Sequence, residues 1–151
     1  MNDRELAAAL TGDWILERWT IRYPDTGRIT EPFGPEPQGL LMYSADGHMS
    51  AAMQRPGRPR LSNADPRAVG DAEKAAAFGS YLHYAGRWTV RDGCVVHEVA
   101  LAMNPDLLGT RQLRSVGLDG DRLVLGADEA LGGGRSRVHS IHWRRASGAA
   151  G

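Results

Sequence analysis

The sequence predicts an all-β fold: a single antiparallel β-barrel of about 8–10 strands with one capping α-helix over about residues 66–82. Three observations predict it. Asp-Gly occurs at Asp46-Gly47, Asp92-Gly93 and Asp119-Gly120, each time between strand-like runs, and Asp-Gly suits a two-residue hairpin turn whose central residues both take positive φ. Short strand-like runs recur between turn signals along the chain, the pattern of a sandwich or barrel. Within the hairpins apolar residues fall on alternate positions, the period that gives a strand one buried face.

Leu6–Leu10 reads as a short helical turn. Strands are predicted at Trp14–Tyr23 and Gly27–Glu31, followed by the first Asp-Gly hairpin over about residues 40–53. Arg55–Asn63 (RPGRPRLSN) is a loop. Asp65 before Pro66 forms an N-cap and N1 pair, and the helix it opens runs through Glu73–Phe78 to about Leu82, where it closes one barrel end. The second hairpin spans Tyr84–Leu101 and the third Gln112–Ala127; Gly132–Gly134 is a turn before a last strand at Ser136–Arg145. Residues 1–145 are assigned to one domain and 146–151 to a disordered tail.

Composition narrows the function classes. The chain has 151 residues, with 18 basic and 18 acidic side chains, so no net charge favours nucleic acid or an anionic membrane. Lys74 is the one lysine among the basic residues. Cys94 is the single cysteine, which excludes an internal disulfide and a thiolate zinc cluster and fits a reducing compartment. The N-terminus has no apolar run after a basic start, and no segment approaches the ~20 apolar residues of a membrane span. A cytoplasmic protein without nucleic-acid or membrane partners is expected.

Hairpin register places candidate site residues. With Asp92-Gly93 as the turn, Arg91 faces Cys94, Val90 faces Val95, Trp88 faces His97, Arg87 faces Glu98 and Tyr84 faces Leu101. The inner face then carries Tyr84, Gly86, Trp88, Val90, Val95, His97, Val99 and Leu101. With Asp119-Gly120 as the turn, Val116 faces Leu123, Arg114 faces Leu125 and Gln112 faces Ala127, so Gln112 and Arg114 point inward with the leucines. An unpaired buried arginine costs several kcal/mol, so a lumen holding His97, Gln112 and Arg114 is partly polar, and small barrels can hold one ligand. The first hairpin has two readings. Leu40, Met42, Ser44, Met49, Ala51 and Met53 share one face; Leu41, Tyr43, His48, Ser50 and Ala52 share the other. The methionines suit an adaptable apolar lumen or packing under the helix. We assign them to the lumen; Tyr43 and Ser50 join the site if their own face turns inward.

The order of short motifs resembles the bacterial and fungal lipocalin-like domain family. They are Leu10-Thr11-Gly12-Asp13-Trp14; Pro35–Gly39 leading to Leu41, Tyr43 and Met49-Ser50-Ala51; Tyr84-Ala85-Gly86-Arg87-Trp88; Val96-His97; Asn104-Pro105 and Gly109-Thr110; Gln112 with Arg114; Gly120–Leu123; and Trp143-Arg144. The match runs from about Leu10 to Arg145. It implies a calycin-like antiparallel barrel and, because one fold hosts many activities, no single function. Trp88 departs from the tyrosine or phenylalanine of the family pattern, which bears on the shape of the pocket.

His97 is either a hydrogen-bonded core residue or a group that contacts ligand and moves protons; imidazole is the side chain whose ordinary pKa lies between pH 5 and 8. Arg114 either pairs with a lumen acid or anchors a ligand through its fork. Metal is not expected, because His139 and His142 fall on opposite faces of a strand and His83 lies near the helix end. No nucleophile elbow, phosphate loop or Rossmann alternation occurs, and no cofactor is expected. Two functions survive. In the first, the barrel is a cofactor-independent cyclase or isomerase of polyketide-type secondary metabolism. His97 with Tyr84 moves a proton, Arg114 and Gln112 stabilise developing negative charge, and Trp88, Met42, Met49, Met53, Tyr43 and Ser50 shape the pocket. The alternative is a non-catalytic carrier or sensor of a hydrophobic small molecule. The polar lumen favours the enzyme. A duller third option is a protein-binding module, and the outer apolar face of Val96, Ala100 and Ala102 leaves a homodimer open.

Overall fold

A computed structural model describes residues 1–146. Its strands are β1 (Gly12–Tyr23), β2 (Arg28–Thr30), β3 (Gln38–Tyr43), β4 (His48–Gln54), β5 (Tyr81–Arg91), β6 (Cys94–Ala102), β7 (Arg111–Asp119), β8 (Arg122–Gly132) and β9 (Arg135–Arg145). Each pairs antiparallel with the next from β3 onward, and β1 pairs with both β3 and β9. β1 and β3–β9 therefore close an eight-stranded barrel, and β2 adds to the far end of β1. β1 serves three neighbours because it is long: its start pairs with β3, its end with β2, and most of its other edge with β9. A bulge at Glu17 restores parity along it, so Leu16 and Trp19 both point inward.

Two helices accompany the barrel, α1 (Asp3–Leu10) and α2 (Asp71–Gly79). The N-terminal helical turn is a full helix with a reciprocal capping box between Asn2 and Glu5. It buries Leu6 and Leu10 under the barrel, and the Asp3 carboxylate accepts from the backbone N–H groups of Asp92 and Gly93 at 2.8 and 2.9 Å. Its last turn is tied down as well. Leu10 O accepts from the Trp14 indole at 2.9 Å, and Ala9 O accepts from Arg145 at 2.6 Å. α1 is thus the plug. The helix expected over 66–82 is broken: Asp65 caps only a 3₁₀ turn at Pro66–Ala68, Val69 is extended and buried, and Gly70 begins α2. Tyr81 and Leu82 already belong to β5, paired with Gln54 and Met53. No residue of α2 is buried, so it does not close the barrel as a core helix would.

The three hairpins differ in how their turns fix register. At Asp92-Gly93 both residues have positive φ (52° and 75°), and the pairs from Arg91–Cys94 to Arg87–Glu98 form as expected. Beyond them a bulge intervenes, so Tyr84 faces Ala102, not Leu101. Leu101 turns out to 66% exposure and Ala102 packs inward. The expected outer face thus loses Ala102. Gly86 sits at this bulge because a Cβ there would run into the Glu98 carbonyl. The third hairpin turns at Gly120-Asp121, with Leu118 facing Leu123 and Val116 facing Leu125. Glycine at the first turn position suits that geometry. The shift from the expected register is two residues, so every face is preserved and Gln112 and Arg114 stay inward.

The first hairpin shifts by one. Ser44 N donates to His48 O and Gly47 N to Ser44 O, and Gly47 takes φ of 95°. This is a longer loop ending in a glycine bulge rather than a two-residue turn. Tyr43 then faces Met49 and Leu41 faces Ala51. A one-residue slip flips one strand against the other: Leu41 and Tyr43 join Met49, Ala51 and Met53 inside, while Leu40 and Met42 go outside. The lumen position expected for Met42 is corrected; its side chain is on the outer face. The tail expected to be disordered lies outside the described residues beyond Ala146, and Ala146 N itself donates to Asp13 O at 2.9 Å.

Gly86→Ala is expected to destabilise the barrel by about 1–3 kcal/mol through backbone displacement at the bulge. Gly79→Ala, in open space at the end of α2, should be neutral or stabilising by up to about 1 kcal/mol. Urea midpoints of the two variants check the contrast.

Candidate functional site

The barrel end beside α1 is solid. Leu10, Trp14, Val95 and Leu123 are there, each with no exposed surface. The other half holds a cavity of about 700 Å³. Trp19, Ile21, Phe33, Leu41, Met53 and Leu125 supply apolar wall, and Tyr84, His97, Gln112, Arg114, Glu129 and His139 supply the polar positions.

Most expected site residues converge, but in different roles. His97 is 1% exposed and is held between two phenols: Tyr43 Oη lies 2.6 Å from Nε2 and Tyr84 Oη 2.6 Å from Nδ1. Burial, with help from the Arg114 charge, lowers its pKa to about 3. Burial pushes both phenols up, Tyr43 well above the usual range, with Arg114 opposing in each case. Trp88 and Met49 face inward but sit in the solid half. The Trp88 ring lies 4.5 Å from that of Tyr43, and its indole donates to Ser44 O. Tyr43 is likewise behind the wall, while Tyr84, His97, Gln112, Arg114 and Met53 line the cavity. Ser50 is outside, where it bonds His83 Nε2 at 2.9 Å. Its conditional place in the pocket fails because Met49, Ala51 and Met53 take the inner face of β4, whereas the place of Met42 is corrected by the one-residue register of the first hairpin.

Arg114 is half-buried, and the partners of its guanidinium are neutral: Gln112 Oε1 at 3.4 Å and Leu113 O at 3.1 Å. Gln112 is held in turn by Thr110 Oγ1 at 2.8 Å. Among the described residues Arg114 forms no ion pair. Glu98, on the outer face, pairs with Arg111 at 3.5 Å.

A second polar chain crosses the wall nearer the mouth. Arg137 donates twice to Glu129, at 2.8 and 3.0 Å, and His139 Nε2 lies 2.6 Å from Glu129 Oε2. The Trp19 indole donates to His139 Nδ1 at 3.1 Å. Because an indole only donates, Nδ1 is bare and Nε2 carries the proton that His139 gives to Glu129. Arg137 first, and His139 with it, hold the Glu129 carboxyl down at about 2 against the opposing effect of burial. Burial lowers the His139 pKa, with Glu129 opposing. Sequence reading missed this chain although its signal was present. The inward parity of Leu123 and Leu125 continues to Ala127 and Glu129, and that of Trp143 continues to Ile141, His139 and Arg137, with Glu129 facing Arg137 in register. His139 had been weighed only as a metal ligand.

The His97 shift fixes an acid sensitivity. Above pH 6.5 the ring is neutral in folded and unfolded chains alike. Below it the unfolded chain takes up a proton that the folded chain refuses. Stability therefore falls by up to about 1.4 kcal/mol per pH unit until pH approaches the folded value of about 3. His97→Gln should flatten much of this slope between pH 6.5 and 4.5, where His139 and, towards the acid end, Glu129 also contribute, as followed by urea unfolding across that range. An unchanged slope would mean that His97 is not buried neutral.

Residues 11–146 match the model of the lipocalin-like domain family. The chain is also 39% identical over 85 residues to the 4′-hydroxy-3′-methoxypropiophenone carrier protein ppsC of Aspergillus oryzae, covering 51% of this chain and 77% of that relative. The family match spans every strand of the closed barrel and the whole cavity wall, and the chain belongs to the lipocalin-like domain family.

Proposed function

We propose that this protein is a carrier that holds a largely apolar, aromatic small molecule in the barrel lumen. The observation that carries the proposal is the cavity itself, about 700 Å³ and walled mainly by Trp19, Phe33, Leu41, Met53 and Leu125 with a few polar groups on one side. That is the size and character of small-molecule sites in general. The relative named as a carrier of an aryl ketone supports the same class of cargo.

The cyclase or isomerase reading depends on His97 as the proton-moving group. Both ring nitrogens are occupied by phenols at 2.6 Å, and a pKa of about 3 is far from the operating pH that general acid–base catalysis favours. The same contacts suit a different task, holding the polar wall of a binding site in one geometry. This weighs for carriage over chemistry.

Titration with 4′-hydroxy-3′-methoxypropiophenone, read by quenching of tryptophan emission, is expected to give saturable one-to-one binding with Kd on the order of micromolar. The ketone should be recovered unchanged by mass spectrometry after prolonged incubation. Ala127→Trp, which fills the cavity beside His139, should weaken binding at least about tenfold, worth ~1.4 kcal/mol. Conversion of the ketone that Arg114→Ala abolishes would restore the enzyme reading. Absence of saturable binding would sink the carrier.

A further inference from the structure

The Tyr43–His97–Tyr84 chain has a direction. A neutral imidazole has one N–H and one bare nitrogen, yet each nitrogen of His97 meets a phenol at 2.6 Å. One tyrosine must donate to the bare nitrogen. The other accepts from the N–H, so its own O–H proton has to find an acceptor elsewhere.

The two possible arrangements are not equivalent. If Nε2 carries the proton, Tyr43 accepts it and its O–H is left over. Tyr43 is 2% exposed and packed against Trp88. Its hydroxyl has no hydrogen-bond partner other than His97 among the described residues, so a buried donor would be left unmade, which is the costly case. If Nδ1 carries the proton, Tyr43 donates inward to Nε2, His97 donates to Tyr84, and the O–H left over belongs to Tyr84, which lines the cavity. The second arrangement strands nothing, because the spare donor faces the space a ligand would fill.

A further donor belongs to the same wall. Arg114 has only neutral partners among the described residues, and its charge bears on the Tyr84 hydroxyl. From this juxtaposition we infer that the lumen wall formed by Tyr84 and Arg114 is a donor-only station, fed by a Tyr43→His97→Tyr84 relay. It selects ligands that present an acceptor oxygen, a ketone carbonyl or a carboxylate. The inference rests on the carrier reading and adds the chemistry by which the cargo is chosen.

Two measurements test it. In the ligand-free protein at neutral pH, long-range proton–nitrogen spectra should show His97 with Nδ1 protonated and Nε2 bare; the opposite tautomer overturns the relay. In a matched binding series, 4′-hydroxy-3′-methoxypropiophenone and 4-hydroxy-3-methoxybenzoate should each bind at least about tenfold more tightly than 2-methoxy-4-propylphenol, which lacks the carbonyl. Tyr84→Phe should shrink that preference for the ketone to about threefold or less while leaving the affinity for 2-methoxy-4-propylphenol nearly unchanged. A carboxylate preferred over the ketone assigns the larger share to Arg114, and the reverse order assigns it to Tyr84; both orders support the station. Equal affinity for all three compounds overturns the station and leaves the carrier reading standing, whereas no binding by any of them sinks both.

Discussion

The pairing of β1 with β9, from Trp14–Arg145 to Arg22–Val138, is the constraint on which the rest depends. It joins the first long strand to the last and turns a meander into a closed ring. Closure gives the sheet an inside, and an eight-stranded ring is wide enough for side chains to fill or for one small ligand to occupy. Both solutions are used, one at each end. α1 seals the solid half from below, held by Asp3 on the β5–β6 turn and by Arg145, whose guanidinium also lies 4.2 Å over the Trp14 ring. Among the described residues the opposite half has no such plug, and it keeps its cavity.

Closure also explains why distant residues can form one polar wall. Tyr43, Tyr84 and His97 come from β3, β5 and β6 and meet because their strands curve around a common axis. Inside so narrow a space each polar group needs a partner. Two answers coexist. Glu129 is satisfied by Arg137 and His139, a balanced cluster that asks for nothing from a ligand. Arg114 and Tyr84 are left with donors to spare. The asymmetry between the two clusters gives the lumen a polar direction that its apolar walls alone would not have.

How much of this was legible in the sequence depended on parity. The His97–Trp88 pair and the inward placement of Gln112 and Arg114 were readable because alternation survives any even error; the third hairpin was misplaced by two residues at no cost to its faces. The first hairpin was misplaced by one, and that sufficed to exchange Met42 for Tyr43 on the inner face. Glu17 and Ala100, the residue skipped opposite the Ala85–Gly86 step, altered parity within strands whose composition gave no warning, apart from the facing glycine. The break at Val69-Gly70 went unread because Asp65-Pro66 is a sound helix start in isolation, and only the burial of Val69 ends the turn it opens.

The sequence by itself determined the strands, their antiparallel order, the inward histidine and the family pattern, since turn residues and period-two alternation are local properties of the chain. Tertiary structure alone decided which helix plugs the barrel, which face of the first hairpin looks inward, and that Glu129 and His139 belong to one chain. It also decided that both nitrogens of His97 are taken by phenols from other strands. Those outcomes depend on ring closure and bulge position, which bring together side chains as distant as Trp19 and His139, 120 residues apart. Local pattern carries no record of such a meeting, and it was the meeting that turned His97 from a proton carrier on paper into the fixed centre of a binding wall.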